Sequence, residues 1–161
     1  MENILIDFDI NRDERGSLVS LEQLKNIPFE MKRLYYIFEM KDNLPRGFHA
    51  HKDLLQVLVC LKGSCKVLID NGKEKNEFTL NNPNQGLFIG HFLWREMYEF
   101  SSDCVLLVLA SEYYDEADYI RDYDDFLILV NKNQSENLKW IGHYFLWFIV
   151  DYSNSVNRTF V

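Results

Sequence analysis

The sequence predicts an all-β domain, a sandwich or barrel, and three observations carry that expectation. Short runs of β-branched, aromatic and aliphatic residues succeed one another from Asn3 to Ala110, the pattern of strands with at least one packed face. Turn chemistry separates them at close spacing, at Arg15-Gly16, Lys62-Gly63-Ser64 and Asn71-Gly72, where glycine accepts the backbone angles of a tight reversal. The helical candidate among them, Leu21 to Asn26, is too short for more than one turn and is stopped by Pro28.

Asn3 to Ile10 alternates apolar and polar residues as an edge strand does, Asn11 to Gly16 reads as a charged turn, and Ser17 to Leu21 begins a second strand. Met31 to Met40 is apolar on both faces, with Tyr35, Tyr36 and Phe38. It is therefore expected to be covered on one side by the domain interior and on the other by a further layer or subunit. Gln56 to Leu61 and Cys65 to Ile69 flank the turn at Gly63, and Lys75 to Leu80 returns from the Asn71-Gly72 hairpin. Leu87 to Ile89, Phe92 to Glu99 and Cys104 to Ala110 complete the strands.

After Ala110 the character changes. Ser111 to Tyr123 is acidic at its start and is expected to open a helix near Asp115, docking Tyr119, Ile120 and Tyr123 on the barrel with its acids on a solvated face. The aromatic tail from Trp140 to Val150 is shorter than the ~20 apolar residues that span a bilayer, and its His143 is expected to pack.

A chain of 161 residues, 47% of them hydrophobic, fits one domain with a substantial core. The net charge of -8 excludes a general nucleic-acid binder, which needs excess cations to displace counterions from phosphate. A small anionic ligand needs only a local cluster, and Arg15, Arg33, Arg46, Lys52 and Arg95 all lie near the segments that carry chemistry. The three cysteines, Cys60, Cys65 and Cys104, show no pairing pattern and suggest reduced thiols; with no signal-like start, a cytoplasmic location is expected.

The stretch most suggestive of chemistry is Pro45-Arg46-Gly47-Phe48-His49-Ala50-His51, followed at once by the apolar run Leu54 to Leu61. On a strand, residues two apart share a face, so His49 and His51 project side by side. Gly47 permits a close backbone approach and Arg46 supplies a cation. Two imidazoles in one place are either metal ligands or proton-transfer groups.

Gly47, His49, His51, Gln56 and Gly63 resemble the first motif of the cupin superfamily, in which two histidines and a glutamate on one face of a small β-barrel usually bind a metal. Gln56 occupies the usual glutamate position. In the stretch resembling the second motif, Pro83 to Met97, Arg95 stands where a metal-binding cupin places its third histidine. A fixed guanidinium repels a divalent ion, so the resemblance is to a cupin jelly roll that has lost its metal and kept its histidines as acid-base groups. Arg15 to Leu18, Lys32 to Phe38, Arg46 to His51, Gln56 to Val59, Trp94 to Met97 and Ser101 to Cys104 together look like the sugar 3,4-ketoisomerases that act on dTDP-4-keto-6-deoxyglucose. That likeness is collinear over residues 1–131, with 132–161 as an extension outside it.

The resemblance implies an enolisation that moves the ketone from C4 to C3 in deoxysugar biosynthesis for surface glycans, with no metal, no redox cofactor and a homodimeric enzyme. Such chemistry needs a base, a second proton carrier and donors for the enolate oxygen. His49 is expected as base, His51 as relay or acid, and Tyr35 as a shuttle to the sugar oxygens. Arg15 and Arg46, then Arg33 and Lys52, are expected on the diphosphate, with Gln56 and Arg95 also contacting substrate. The competing readings are a nucleotide-sugar 3,5-epimerase, a metal-dependent cupin oxygenase and a non-catalytic sugar-binding cupin.

Overall fold

The computed structural model describes residues 5–41 and 44–133, so the aromatic tail and His143 lie outside the described residues. Two five-stranded antiparallel sheets face each other as a jelly roll. The first runs in the order β1 (Leu5–Asp7), β9 (Gln85–Ile89), β6 (Gln56–Lys62), β11 (Val105–Ala110), β4 (Arg33–Ile37). The second runs β12 (Tyr119–Ile120), β5 (Arg46–His51), β10 (Trp94–Tyr98), β7 (Cys65–Asp70), β8 (Lys75–Leu80). A separate hairpin joins β2 (Ile10–Asp13) to β3 (Gly16–Val19).

Strand alternation divides the apolar residues among three cores. Leu58 and Cys60 of β6, Leu106 and Val108 of β11, and Val67 and Ile69 of β7 fill the space between the sheets. Their neighbours in sequence, Val57, Val59, Leu107 and Leu109, face outward beneath Phe8, Ile27 and Phe29 of the N-terminal segment. On the back of the second sheet, Ala50 and Trp94 pack with Ile120, Phe126 and Val130. The first sheet is thus covered on its outer face by the N-terminal segment and the second by the chain that follows β11.

The three cysteines are free and buried, with their sulfur atoms within 4.8 Å of one another. They converge at the end of the inter-sheet core.

Several boundaries differ from those read in the sequence. The single strand expected over Asn3 to Ile10 is, among its described residues, β1 and the start of β2: between them the chain turns Phe8 into the core, against Gly86, where an added Cβ would lie 2.7 Å from the Phe8 ring. Leu21 to Asn26 forms a bridged turn, closed by the Leu24 amide donating to the Ile27 carbonyl and by Leu24 at φ 58°. Within this chain β4 is a one-sided edge strand, its outward Leu34 and Tyr36, and Phe38 just beyond it, being 59%, 60% and 51% exposed.

The helix expected near Asp115 starts later. Asp115 caps only a 3-10 turn, Glu116–Asp118, accepting the Ala117 amide. Tyr119 and Ile120 then extend to pair with His51 and Ala50 of β5. The α-helix, α1, covers residues 123–133. Asp122 caps it, accepting the amides of Asp124 and Asp125 at 2.9 Å each. Among the described residues no helix is long and apolar enough to cross a membrane.

Candidate active site

Strand β5 carries the two candidate histidines on one face and its anchorage on the other. Ala50, wholly buried, faces the back of the sheet, so His49 and His51 on either side of it face inward. Their rings meet edge to face with centroids 4.9 Å apart. Arg95 of β10 lies directly opposite His49 in the register. At that point the ladder carries a bulge between Arg95 and Glu96, and Gly47 sits at φ 95° with the Arg95 carbonyl 2.7 Å from where a Cβ would be. The close approach expected of Gly47 is therefore what sets β10 beside the histidines.

The first sheet contributes from across the interior. Gln56 lies on the inward face of β6, in line with Leu58 and Cys60, and its Nε2 donates to the Tyr35 hydroxyl of β4 at 2.9 Å. Burial pushes the Tyr35 phenol above its ordinary value, so it stays protonated at neutral pH.

Hydrogen bonding fixes the form of each imidazole. His49 Nδ1 is 2.9 Å from the Gly47 carbonyl, which can only accept, so Nδ1 carries the proton and Nε2 the lone pair. His51 Nδ1 is 2.7 Å from Asp118 Oδ2 and is likewise the protonated nitrogen, while its Nε2 is buried without a partner. Desolvation, assisted by the Arg95 charge, pushes His49 down to about 4 and lowers His51 as well. Both rings are neutral and able to accept a proton at cellular pH.

Arg95 is the strongest electrostatic feature. It is 1% exposed, and Nε, Nη1 and Nη2 all lack a hydrogen-bond partner among the described residues. Burial lowers it to about 10, which leaves it cationic at neutral pH. An unpaired buried charge is strongly unfavourable, so the guanidinium has donors to offer oxygen atoms that the described residues do not supply.

Two residues outside the sequence-based set complete the cluster. Asp118, assigned by pattern to a solvated face, instead bonds His51, and the Tyr119 ring packs edge-on to His51 and tilted against His49, with centroids 4.2 and 4.9 Å away. The solvated face expected for the acids of this segment is corrected at Asp118 by its bond to His51. Its sequence signal is faint: an acid followed by the strand-forming pair Tyr119-Ile120.

The arginines and the lysine are more dispersed. Arg33 stands between the rings of Tyr35 and Tyr114, 5.2 and 5.7 Å from their centroids, with a buried and unpartnered Nε. Arg46 is exposed at the start of β5, opposite Met97. Lys52 is turned toward the segment after the barrel, its Nζ donating to the Ala117 carbonyl at 2.6 Å. Arg15 lies at the exposed tip of the β2–β3 hairpin, paired with Asp13. The structure therefore brings Tyr35, His49, His51, Gln56 and Arg95 together, with Arg33 at their edge.

The donor set does not suit a divalent metal. Beyond the two imidazoles a cupin metal needs two more ligands, and those positions hold a Gln56 amide bonded to Tyr35 and the Arg95 cation. What the cluster can do is accept a proton on neutral nitrogen while a buried cation and a phenol stabilise oxygen.

The family described as "FdtA: WxcM-like, C-terminal" matches residues 1–131. A TDP-4-oxo-6-deoxy-alpha-D-glucose-3,4-oxoisomerase from Aneurinibacillus thermoaerophilus is 60% identical over 126 residues, 78% of this chain and 91% of that protein. The chain belongs to the sugar 3,4-ketoisomerase family. Its fold agrees in detail with solved ketoisomerases. One from Helicobacter canadensis is 54% identical with a TM-score of 0.77, over 79% of this chain and 96% of that one. Another, QdtA from Thermoanaerobacterium thermosaccharolyticum in complex with TDP, is 48% identical with a TM-score of 0.78, over 80% and 94%. An epimerase from Mycobacterium tuberculosis, 14% identical with a TM-score of 0.62, shares the fold alone. This ketoisomerase-family chain is thus an isomerase built on the cupin jelly roll.

Proposed function

We propose that this enzyme converts a TDP-linked 4-keto-6-deoxyglucose to its 3-keto isomer by proton transfer through an enediol, without metal or redox cofactor. The observation that supports this most is the unpartnered Arg95 guanidinium beside two neutral imidazoles. An enolisation needs a neutral base at the carbon and fixed positive charge at the oxygen where negative charge develops. The named substrates of the ketoisomerase relatives carry the reading to this chain.

In this scheme the C4 carbonyl oxygen accepts hydrogen bonds from Arg95. His51 Nε2 removes the C3 proton and the electron pair moves to O4, forming an enediolate held by Arg95. The Tyr35 phenol, kept protonated by burial, passes a proton to O4 as the C3 hydroxyl gives one up. Returning a proton to C4 from the imidazole pair yields the 3-ketone. Hydrogen is conserved, so no oxidant enters.

The roles expected from the sequence are exchanged in this scheme: His51 takes the base role because its Nδ1–H faces a carboxylate, whereas that of His49 faces a neutral carbonyl; the carboxylate favours the imidazolium that proton uptake creates. His49 serves as its acid-base partner. Gln56 orients Tyr35. Arg33 and Arg46 suit the diphosphate through their planar forks, with Arg15 and Lys52 engaged in this chain by Asp13 and Ala117. The enzyme acts as a cytoplasmic homodimer in this reading, supported by the outward aromatic face of β4.

Incubation with TDP-4-keto-6-deoxyglucose followed by proton NMR tests the proposal. The expected product carries its ketone at C3 and a new hydrogen at C4. Binding of the sugar nucleotide with no change in its spectrum would contradict catalysis.

A further inference from the structure

Asp118 is the one carboxylate bonded to an imidazole of the candidate site among the described residues, and the way it is held is unusual for a surface acid. Its Oδ2 lies 2.7 Å from His51 Nδ1. Its Oδ1 accepts the backbone amides of Asp53 at 2.7 Å and Lys52 at 3.1 Å. The 3-10 turn Glu116–Asp118 ends on it, and the next residue pairs directly with His51 in the sheet. Both oxygens are therefore fixed, and the carboxylate has no rotational freedom to leave the ring. Burial works against its charge, but the Asp53 amide, His51 and the Lys52 amide together hold it below the ordinary carboxylate value, so it is ionised at neutral pH.

We infer that Asp118 is a positioning residue of the isomerisation: its carboxylate pins the proton of His51 on Nδ1, so that Nε2 presents its lone pair to the sugar. The inference rests on the proton-transfer reading above and deepens it. An ionised carboxylate can only accept, so it selects the Nδ1–H tautomer. It also stabilises the imidazolium formed when C3 loses its proton, against the opposing field of Arg95. The backbone clamp makes the selection rigid, because turning the carboxylate would leave the Asp53 amide unpaired and take from the Lys52 amide one of its two acceptors, the other being the Asp118 carbonyl.

Two substitutions separate this role from a purely structural one. In Asp118→Asn the introduced carbonyl oxygen keeps the amides of Lys52 and Asp53, and its NH2 donates to Nδ1. That forces the proton of His51 onto Nε2 and removes the base. In Asp118→Ala the clamp is lost, but neither tautomer is enforced. The expected order of stability is thus wild type, Asn, Ala, and the expected order of kcat is wild type, Ala, Asn. For the Asn variant the loss in kcat is roughly 10²–10⁴-fold, the range seen when the carboxylate behind a catalytic imidazole is made an amide, with affinity for TDP unchanged.

The experiment measures kcat, TDP affinity and melting temperature for the three full-length proteins. A kcat for Asp118→Asn at least tenfold below that of Asp118→Ala supports the inference. An Ala variant as slow as or slower than the Asn variant, or two variants as fast as wild type, overturns it. If the Ala variant does not fold, nitrogen-15 NMR of the wild-type histidines decides: His51 protonated at Nδ1 supports the inference, and His51 protonated at Nε2 overturns it. A wild-type protein that leaves the sugar unchanged would instead refute the isomerase reading.

Discussion

Strand β5 and the segment after the barrel, residues 115–133, meet at His51 and differ in how their chemistry is encoded. On β5 the information is local: His49 and His51 are two apart, so the pleat alone puts them on one face. In the later segment it is remote, because Asp118 reaches His51 across 67 residues. No spacing within 115–118 distinguishes an acid that bonds an imidazole from one that faces water. Helix α1 adds to the contrast, since its Phe126 and Val130 pack behind the histidines on Ala50 and Trp94 without touching the reacting groups. In the proposed mechanism the base thus comes from one region and its orientation from the other.

The sharpest test of this division is His51→Asn. Removal of the proposed base lowers turnover by about 10⁴-fold, in line with the loss of an essential acid-base group, and leaves the melting temperature close to wild type. Turnover within tenfold of wild type would move the base role to His49 and weaken the link between the two regions.

Phe126→Ala strikes the later segment from behind. Phe126 is fully buried, and its truncation lowers stability by roughly 3–5 kcal/mol, measurable by chemical denaturation. If α1 holds Asp118 and Tyr119 in place, kcat of the folded fraction falls as well. An unchanged kcat would show that the 3-10 turn and β12 hold themselves in place without α1.

Arg95→Met sets stability against function within the barrel. Removing an unpaired buried cation raises stability by about 1–4 kcal/mol, while loss of the donor at the developing oxyanion lowers kcat by roughly 10²–10³-fold. Enzymes place such strained groups where substrate relieves them. A destabilised but fully active variant would contradict the role given to Arg95.

A smaller effect concerns pH. His49 is pushed down to about 4 in the folded chain, chiefly by desolvation, against about 6.5 when unfolded. Between those values the unfolded state binds more protons, so stability rises with pH across that window and is lost as pH falls from about 6.5 toward 4. His49→Gln should flatten this slope in denaturation curves taken from pH 4 to 7. An unaltered slope would place the titrating group elsewhere.

The barrel was legible in the sequence because turn residues and strand alternation act over a few residues. The glycine at Gly63, the Asn71-Gly72 turn and the period of two in β5 all sit where the pattern places them. Arg95 was also legible as a departure from a metal-binding motif, although its lack of any partner was not. The miss at residues 115–123 has a physical cause. Acids at the start of a segment favour a helix N-terminus, but Tyr119 and Ile120 gain more by pairing with the open edge of β5, which defers the helix to the Asp122 cap. The exposed outer face of β4 and the pairing of Arg15 with Asp13 were not legible, because hydrophobic pattern alone does not say what covers a face or which acid an arginine meets.

The central claim is that the paired imidazoles move one sugar proton between adjacent carbons. Its most direct test is the wild-type reaction with TDP-4-keto-6-deoxyglucose in deuterated water, read by NMR. The account predicts a 3-ketone with solvent deuterium at C4 and none at C5; label at C3 and C5 with the ketone still at C4 would contradict it and mark an epimerase.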